Sequence, residues 1–596
     1  MAESPTKNSQ GLVTCTIYKD GDKINSSFGL ISVWIRKEVN RIGKATLVFE
    51  AGNAATQNVE ESEDSTFDIG SNIRIEAGYD NTEDVIFEGM VISHNIVVPK
   101  DENAMLEIEC RDYAFPATLN RKNCLFEKLK DSDIISQVLG NYSPLSTSVD
   151  TTQTKHPELV QYYCTDWDFI LSRAEANGLI VITDGKDISI KRPEVSASAV
   201  LKVTYGVDIM EFTGRLQASS QIDTINAWAW DSATQKIVKT NGNPASLNRQ
   251  GDSSARKLAQ AITTEEQSLQ TEAVTDENAL RSWANAVLLR AGLSKIRGDF
   301  KFQGSAKAVP GCIIEIDGLG KRFNGNAYIG SVEHEIKDGN WITTAGMGIS
   351  PLQITEQQNV VAPLASGLLP GINGLHVGKV TKIHDDPLAE NKIQVEFPLL
   401  NGEKNMLWAR LSNLWASTGF GSFFIPEIGD EVVLGFFNND PTYPVILGSL
   451  YSSKQKPPYE IEKENKIKAI VSKSKLKIEF EEEKKIITIQ TPEKNIIEIS
   501  DDSRSIKLTD QHKNKIEMTS NGILFDSAKE IQLKAKTNIL IDAGANLDIK
   551  AKSNLKIEGL NVEAKAKAQL TAKGTASAEF SASGQTVVKG AMVMIN

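Results

Sequence analysis

The sequence is poor in the features that mark several common protein classes. Five cysteines occur in 596 residues, and none forms a C-x-x-C pair; they are Cys15, Cys110, Cys124, Cys164 and Cys312. This spacing argues against a disulfide framework or a zinc site and predicts reduced thiols in the core. No apolar run approaches the ~18 residues that a membrane-spanning helix needs.

Basic residues are also fewer than acidic ones. The 65 Lys and Arg residues are outnumbered by 77 Asp and Glu residues, which gives a net charge of −12. No basic domain is present, so we expect no nucleic-acid partner. The first ten residues, MAESPTKNSQ, lack the basic start and apolar core of a signal peptide. We therefore expect synthesis in a cytoplasm, with any export bypassing general secretion.

Motifs of catalysis are missing as well. The six histidines are isolated in sequence, and HEIKD at His334 lacks the second histidine of a zinc-binding HExxH motif. The segment GLGKRFNG from Gly318 does not have the spacing of a phosphate-binding loop, and no GxSxG motif occurs. The acidic pair Asp385-Asp386 is more typical of a solvated turn than of glycosidase carboxylates. We expect no catalytic, cofactor-binding or metal-binding residues.

What the sequence does contain is an eight-residue repeat that runs from Ile523 to the C-terminus. Its first and third positions are mostly apolar, its fourth is usually charged, and its fifth is always small from the second repeat onward. Apolar residues two apart share one face of a strand, whereas on a helix they would lie about 200° apart. Each octad therefore predicts a short strand, a corner and a polar turn.

The apolar octad positions predict the core of a rod. One strand cannot bury its single apolar face alone, so copies must stack, either as a single-chain solenoid or as three chains wound together. The predicted core residues are Ile531, Leu533, Ile539, Ile541, Leu547, Ile549, Leu555 and Ile557. Side chains become smaller toward the C-terminus, which predicts a taper, and the chain then closes with the apolar run AMVMIN.

The rest of the chain consists of alternating strand patterns, turns and a few helices. The predicted domains are a hub β-barrel domain (1–120), a mixed α/β hub insertion (121–215), a second hub β-barrel domain with helices (216–350), a linker (351–375), an OB-fold collar (376–455) and a needle (456–596) with octads from 523. Within the insertion, TDWDFILSRAEANGL predicts a helix with Asp166 as its N-cap and Gly178 as its stop. The polar stretch after the strand TINAWAWD is predicted to be helical.

The segment from His376 to Tyr451 is the most specific part of the sequence. Five short strands in about 75 residues are typical of an OB barrel. In order, the segment contains VEFP, WAR, GFG, FIP, IGDEV, NDP and PVILG, and it resembles the OB domain of VgrG-type spike proteins of contractile injection systems. The residues carrying this resemblance include Trp408, Arg410, Trp415, Gly419, Phe420, Gly421, Pro426, Gly429, Asp430 and Glu431.

This resemblance implies a particular architecture. The fold is then mainly β: a hub of β-barrel domains with a few helices, a five-stranded OB barrel, and a C-terminal triple-stranded β-helix needle formed by an intertwined homotrimer. Trp408, Trp415 and Phe420 could form a stacking platform for a sugar or base. As members of this family they are better interpreted as OB core and trimer-contact residues.

The resemblance also implies partners. They are two further copies of the chain, an inner-tube protein at the hub, baseplate proteins, effector cargo, and a PAAR-type tip protein at Val593, Met594, Ile595 and Asn596. The spike would be assembled in the bacterial cytoplasm, exported within the injection particle, and brought into transient contact with a target membrane. The short segment between the barrel and the needle leaves no room for the lysozyme domain that some relatives insert there, and we expect no effector domain of the kind that others append after the needle, so we expect a structural protein without catalysis.

Two other classes remain open from the residues. A tail-spike-like adhesin that binds polysaccharide would carry aromatic and acidic clusters on outward octad positions, where Lys, Asn, Asp and Ser stand instead. A β-helical polysaccharide-degrading enzyme would need a groove along a single-chain solenoid, which the tapering Ala-rich core fits poorly. The sequence does not distinguish a type VI apparatus from an extracellular injector or a phage.

Overall fold

The computed structural model describes residues 2–8, 11–100, 103–232, 234–263, 266–272, 276–357, 360–400 and 405–595. These residues form five α-helices and 35 β-strands, so the chain is mainly β, as predicted. It divides into two compact units, Met1–Leu450 and Tyr451–Asn596.

The first block of strands follows the alternation of apolar and polar residues in the sequence. Its strands are β1 (Val13–Lys19), β2 (Asp22–Lys23), β3 (Leu30–Glu38), β4 (Lys44–Glu50), β5 (Asn72–Tyr79), β6 (Thr82–Val97) and β7 (Met105–Arg111), with the short helix α1 (Glu60–Glu63). In β5, for example, Ile73, Ile75 and Ala77 are buried while the residues between them are not. The buried side chains of this block form one core that includes Phe49 and Phe67.

Residues 121–216 contain two helices and several short sheets. Their elements are β8 (Arg121–Lys130), α2 (Asp131–Leu139), β9 (Ser146–Val149), β10 (Lys155–Thr165), α3 (Asp166–Ala176), β11 (Ile180–Asp184), β12 (Asp187–Lys191), β13 (Leu201–Thr204) and β14 (Glu211–Leu216). Gly178 (φ 69°) ends the α3 segment, as predicted.

The predicted N-cap of α3 is wrong by one residue. The hydroxyl of Thr165, not the carboxylate of Asp166, accepts the hydrogen bond from the Asp168 amide, at 3.0 Å. The Asp166 carboxylate instead lies in a buried site, where it accepts hydrogen bonds from Lys122 Nζ (2.6 Å) and Gln161 Nε2 (2.8 Å). Lys122, the cation that binds Asp166, is 44 residues away in sequence, so a local capping pattern does not reveal this interaction.

The third block repeats the combination of a strand-rich core with helices. Its elements are β15 (Thr224–Asp231), β16 (Lys236–Asn241), α4 (Ala255–Ala261), β17 (Glu266–Thr271), α5 (Glu277–Leu293), β18 (Ile296–Gln303), β19 (Ile313–Asp317), β20 (Gly325–Lys337) and β21 (Asn340–Met347). The stretch expected to be helical after β15 contains one short helix, α4, together with the strands β16 and β17, which pair with the two edges of β15. Both strands are mostly polar, so their alternation is weak in the sequence.

One sheet of thirteen described strands joins the first and third blocks. Its main path runs β14-β18-β21-β20-β3-β4-β7-β6-β5-β1-β2, and β19 and β13 branch from β20. The link is the antiparallel pairing of β3 with the second half of β20, from Ser331↔Glu38 to Lys337↔Ser32. Ile336 and Trp341 of the third block consequently pack in the core of the first. The two expected hub barrels therefore share a sheet.

The OB segment forms a closed barrel. Its elements are β22 (His376–Lys382), β23 (Ile393–Glu396), β24 (Met406–Leu411), β25 (Ala416–Ser417), β26 (Phe420–Gly421), β27 (Glu431–Phe436) and β28 (Pro444–Ser449). Five of them close in the order β22-β23-β24-β28-β27, which confirms the five predicted strands. Buried apolar side chains such as Val380, Val395 and Ile446 fill the barrel.

The second unit begins with a seven-stranded antiparallel sheet, here called the spike sheet. Its strands are β29 (Ile467–Val471), β30 (Lys477–Glu481), β31 (Ile486–Gln490), β32 (Ile496–Ser500), β33 (Ser505–Thr509), β34 (Lys515–Thr519) and β35 (Gly522–Asp526), each paired with the next. After β35, the described residues 527–595 form no strand. The first octad, from Ile523, overlaps β35 and pairs with β34, whereas the later octads predicted as strands form no strand within the described residues.

Cysteine positions agree only partly with the expected core thiols. All five cysteines are unpaired; Cys110 is buried, three others are partly buried, and Cys124 is exposed on β8, which corrects the prediction for that residue. The described residues contain no group of three His, Cys, Asp or Glu side chains arranged to hold a metal ion. Among the described helices, none has the length and apolar character to cross a membrane.

Candidate functional site

Two apolar surfaces, one in each unit, are the candidate interaction sites of the chain. The first, here called the collar hairpin, comprises residues 414–428 between β24 and β27 of the barrel. The second is one face of the spike sheet. Both expose large apolar side chains in a contiguous stretch, which is typical of protein interfaces.

The collar hairpin is a small ordered structure outside the barrel. β25 and β26 pair, and the Ser422 amide donates a hydrogen bond to the Trp415 carbonyl oxygen at 2.8 Å. The rings of Trp415 and Phe420 meet edge to face with centroids 5.4 Å apart. Gly421 (φ 145°) permits this close approach, because a Cβ there would lie 2.6 Å from the Trp415 carbonyl oxygen. Gly419 (φ 79°) supplies the preceding left-handed turn residue.

The hairpin exposes six large apolar side chains. The exposed fractions are 98% for Leu414, 61% for Trp415, 60% for Phe420, 86% for Phe423, 63% for Phe424 and 60% for Ile428. The prediction that Trp415 and Phe420 contribute to the OB core is therefore wrong within one chain. The chain leaves the barrel after β24, so these rings have no barrel layer to pack against.

The remaining predicted OB residues support the barrel itself. Trp408 is partly buried on β24, and the neighbouring Arg410 guanidinium lies 5.8 Å from the Phe437 ring centroid. Gly429 donates its amide hydrogen to the Val380 carbonyl oxygen at 2.8 Å, and the Asp430 carboxylate accepts from the Glu427 amide at 2.9 Å.

These contacts shape the turn into β27, where Glu431 begins the strand and Pro426, partly buried, precedes it. Of the predicted OB residues, the structure thus brings Trp415, Gly419, Phe420 and Gly421 together in the hairpin, which also contains Pro426 near its end. It places the others in the barrel and its turns. Sequence reasoning missed Leu414 and Phe423 as interface candidates, although the aromatic run FGSFF without strand alternation was a usable signal.

One face of the spike sheet is apolar across all seven strands. Two cross-strand rows cover it: Ile470-Ile478-Ile489-Ile497-Leu508-Ile516-Phe525, and Phe480-Ile487-Ile499-Ile506-Met518-Ile523. Apart from the partly buried Ile516, these residues are between 38% and 62% exposed. An apolar sheet face of this extent is unstable in water and requires a cover.

The opposite face of the spike sheet carries charged groups that pair with one another. Lys507 lies between Glu498 and Glu517 on adjacent strands, with its Nζ 3.9 Å and 3.6 Å from their carboxylate oxygens. Partial burial and a hydrogen bond to the Glu479 carboxylate raise the pKa of Tyr459 to about 12. Burial opposes ionisation of Glu479, but Lys477 and Tyr459 outweigh it and lower its pKa. This face also carries Ile486 and Ile496, so it is mixed in character, whereas the first face is apolar along both rows.

The predicted needle and tip residues are exposed in the single chain. The exposed fractions of the eight octad core residues run from 54% to 72%; they are Ile531, Leu533, Ile539, Ile541, Leu547, Ile549, Leu555 and Ile557. At the tip, Val593, Met594 and Ile595 are 50%, 84% and 91% exposed. Asn596 lies outside the described residues.

Comparisons with known families agree with this architecture. Residues 376–451, the closed barrel, match the family described as the type VI secretion system/phage-baseplate injector OB domain. The barrel of this chain is therefore an OB domain of the baseplate-injector class. Residues 9–338, more than half of the chain, match the family described as Alg8 N-terminal domain, and the chain belongs to that family. Together with the relatives described next, these matches identify it as a VgrG-type spike protein.

Curated relatives share short segments with this chain. Type VI secretion system spike proteins VgrG1c and VgrG1a of Pseudomonas aeruginosa are 30% identical over 119 residues and 41% identical over 61 residues, covering 19% and 10% of this chain. The actin cross-linking toxin VgrG1 of Vibrio cholerae is 37% identical over 84 residues, 13% of this chain. The matches span 16%, 10% and 8% of the respective relatives.

Solved structures also resemble the chain at low scores. A 43 kDa prophage tail protein of Shewanella oneidensis has a TM-score of 0.43 and 11% identity, covering 57% of this chain and 98% of its own. An Escherichia coli component of the type VI secretion system has a TM-score of 0.38 and 11% identity, covering 73% and 99%. The family assignment rests on the sequence matches.

Proposed function

We propose that this chain is the structural spike of a contractile injection system and acts as a homotrimer. The observation that carries the proposal is the apolar face of the spike sheet. Thirteen large apolar side chains lie in two unbroken rows on that face, while the other face carries ion pairs. Packing the apolar faces of several copies against one another removes them from water and leaves the charged faces outside.

The octads support three copies. In a single-chain solenoid each octad would pair with its neighbour, but the described octads after β35 have no strand pairing within the chain. In a triple-stranded β-helix each octad pairs with octads of the two other chains, so every backbone donor and acceptor is satisfied. Two copies of the spike sheet alone could form a sandwich, and the mass of the assembly separates the two arrangements.

The mechanical role follows from rigidity. The hub of the first unit would dock the inner tube and baseplate proteins, and the octads would form a needle that pierces the target membrane and delivers effector cargo. The apolar C-terminal residues Val593 to Asn596 would hold a PAAR-type tip protein. The collar hairpin would contact neighbouring copies, which would cover its exposed rings.

We infer that the spike acts without catalysis of its own. One relative bears the name of an actin cross-linking toxin, but its matched segment covers 13% of this chain. The predicted site residues are apolar packing positions and turn residues, which are suited to assembly. Assembly in the bacterial cytoplasm and export within the injection particle belong to the same proposal.

Light scattering on the full chain tests the trimer. The wild-type mass is expected to be three times the chain mass of 65.2 kDa. Ile497→Asp places carboxylates inside the packed apolar faces and is expected to abolish the assembly, because buried unpaired charges cost several kcal/mol each. Gln490→Asp, on the opposite face of adjacent β31 and directly across from Lys477, is the matched control and is expected to retain the wild-type mass.

A monomeric wild type would contradict the proposal outright. A mass of two chains would replace the triple-stranded needle with a two-sheet sandwich. A trimer that survives Ile497→Asp would show that the apolar face is not the interface.

A further inference from the structure

A cleft in the first unit collects five arginine side chains. It has a volume of about 390 Å³ and is lined by residues of β3, β14, β18, β20, β21, α3 and α5. Its arginines are Arg36, Arg41, Arg215, Arg290 and Arg297, and its acidic residues are Glu38, Glu175 and Asp299. This arginine cleft lies far in sequence from the barrel, the spike sheet and the octads, and the spike function does not account for it.

Two of the arginines directly oppose each other. Arg215 on β14 and Arg297 on β18 are cross-strand partners in an antiparallel pair, and both are exposed. Like charges in this position destabilise a sheet. Within the described part of the chain, neither guanidinium forms an ion pair with a carboxylate, although Asp299 lines the same cleft.

The same two strands also contain a cross-strand pair of opposite charges. Four residues along, Glu211 of β14 opposes Lys301 of β18, and the Lys301 Nζ lies 2.8 Å from the Glu211 carboxylate. The sheet therefore pairs opposite charges at one end of β14 and leaves equal charges at the other. The unbalanced end faces the cleft.

Most other charged groups of the cleft already have partners. Arg290 pairs with Glu175 and donates to the Leu352 carbonyl oxygen at 2.8 Å. Glu175 also accepts from the Ile354 amide at 2.7 Å. Arg36 pairs with Glu38 at 3.0 Å. After these pairs, Arg41, Arg215 and Arg297 remain beside one carboxylate, Asp299, so the cleft has an excess of two positive charges.

The backbone next to the two arginines is held in an unusual conformation. Gly298 has φ 135° and follows Arg297, and Gly214 is its cross-strand partner. A Cβ on Gly298 would lie 2.0 Å from the Thr213 carbonyl oxygen. The two strands therefore approach each other closely at the Gly298–Gly214 pair, which is next in register to the Arg297–Arg215 pair.

We propose that the arginine cleft binds an oxyanion group, a phosphate or a carboxylate, between Arg215 and Arg297. Guanidinium groups present paired N–H donors that match the oxygens of such groups. A bound anion removes the like-charge repulsion that the free sheet carries. The group comes either from a free phosphate compound or from an acidic side chain of another protein chain.

Calorimetric titration of the full chain tests this site, with sodium pyrophosphate and disodium succinate as separate probes. Saturable binding of either probe is expected. Arg215→Gln and Arg297→Gln are each expected to weaken it by about tenfold or more, since charge-assisted hydrogen bonds are lost. Lys301→Gln, which removes the balanced pair on the same strands, is the matched control and is expected to leave the affinity unchanged.

Tighter binding of pyrophosphate identifies a free phosphate compound as the source of the bound oxyanion. Tighter binding of succinate identifies a carboxylate side chain of another protein chain. Either result supports an oxyanion site. Absence of saturable binding to either probe overturns the proposal, and so does unchanged binding by the double glutamine variant.

Thermal unfolding without anion gives a second measurement. The double variant is expected to be at least as stable as the wild type, whereas a loss of stability would show that the arginines have a structural role instead.

Discussion

Asp112 is a carboxylate placed where water scarcely reaches it. Its side chain is 1% exposed and accepts a hydrogen bond from the Ala114 amide at 3.1 Å. The nearby Lys37 ammonium is paired with Asp184 at 2.6 Å. Burial raises the pKa of Asp112 from 3.8 to about 7, with the hydrogen bonds and Lys37 opposing this effect only in part. The folded chain therefore favours the protonated carboxyl group.

This raised pKa predicts a pH-dependent effect of Asp112→Asn. Because the folded pKa lies above the unfolded one, wild-type stability falls as pH rises from about 4 to about 7, and the full cost is present above pH 7. At about 1.4 kcal/mol per pKa unit, the variant is expected to gain up to about 4 kcal/mol over the wild type at pH 8 and little at pH 4.

Urea unfolding of both proteins between pH 4 and pH 8 measures this difference. Asp22→Asn, at an exposed position of β2, serves as the control and is expected to follow the wild-type profile. Parallel profiles for Asp112→Asn and the wild type would show that the carboxyl group ionises freely in the folded chain.

At the scale of elements, helix α3 depends on Thr165. The Thr165 hydroxyl accepts the hydrogen bond of the Asp168 amide, one of the donors left open at the start of a helix. Thr165→Ala removes that acceptor and is expected to cost about 1 kcal/mol of unfolding free energy, whereas Thr165→Ser retains the acceptor and is expected to cost less.

The midpoint of urea unfolding distinguishes the two substitutions. Equal losses for Ala and Ser would mean that the methyl group of Thr165, rather than its hydroxyl, stabilises the helix. The sequence placed this helix and its stop at Gly178 correctly, because both follow from local periodicity and the left-handed turn. The predicted N-cap is wrong by one residue because the carboxylate of Asp166, an equally good capping residue, accepts hydrogen bonds from Lys122 and Gln161 instead.

The small sheet around β15 shows a different limit at the element scale. Its central strand was predicted from TINAWAWD, in which Ile225, Ala227 and Ala229 alternate with polar and aromatic residues and are buried. Its neighbours β16 and β17 each turn few apolar residues inward, among them Val238 and Leu269 against α5. Such strands gain their stability from backbone pairing with β15, and the periodicity of their side chains does not predict that pairing.

At the scale of the whole molecule, the trimer proposal links the two apolar surfaces. If the spike sheets assemble, the collar hairpins are expected to be covered as well, and Trp415 then changes from an exposed to a protected side chain. The fluorescence of Trp415 is obtained by subtracting the emission of the Trp415→Phe variant from that of the parent protein. Iodide quenching of this signal is expected to be several-fold stronger in the unassembled Ile497→Asp background than in the wild-type assembly.

Trp341, which is 2% exposed, provides the internal control. The signal lost on Trp341→Phe is expected to resist iodide in both backgrounds. Equal quenching of Trp415 in the two backgrounds, with the wild type assembled, would assign the hairpin to a different partner while leaving the trimer intact.

The sequence by itself determined the local elements and their apolar faces. It predicted the five strands of the barrel, the alternation of the first strand block and the octad repeat, because strand periodicity and small residues at corners are properties of neighbouring residues. Only the tertiary structure decided that β3 and β20 join the hub into one sheet, that Trp415 and Phe420 leave the barrel, and that Arg215 opposes Arg297. The physical reason is that a periodic pattern specifies which face of a strand is apolar, whereas the partner that covers that face comes from a distant part of the chain or from another copy.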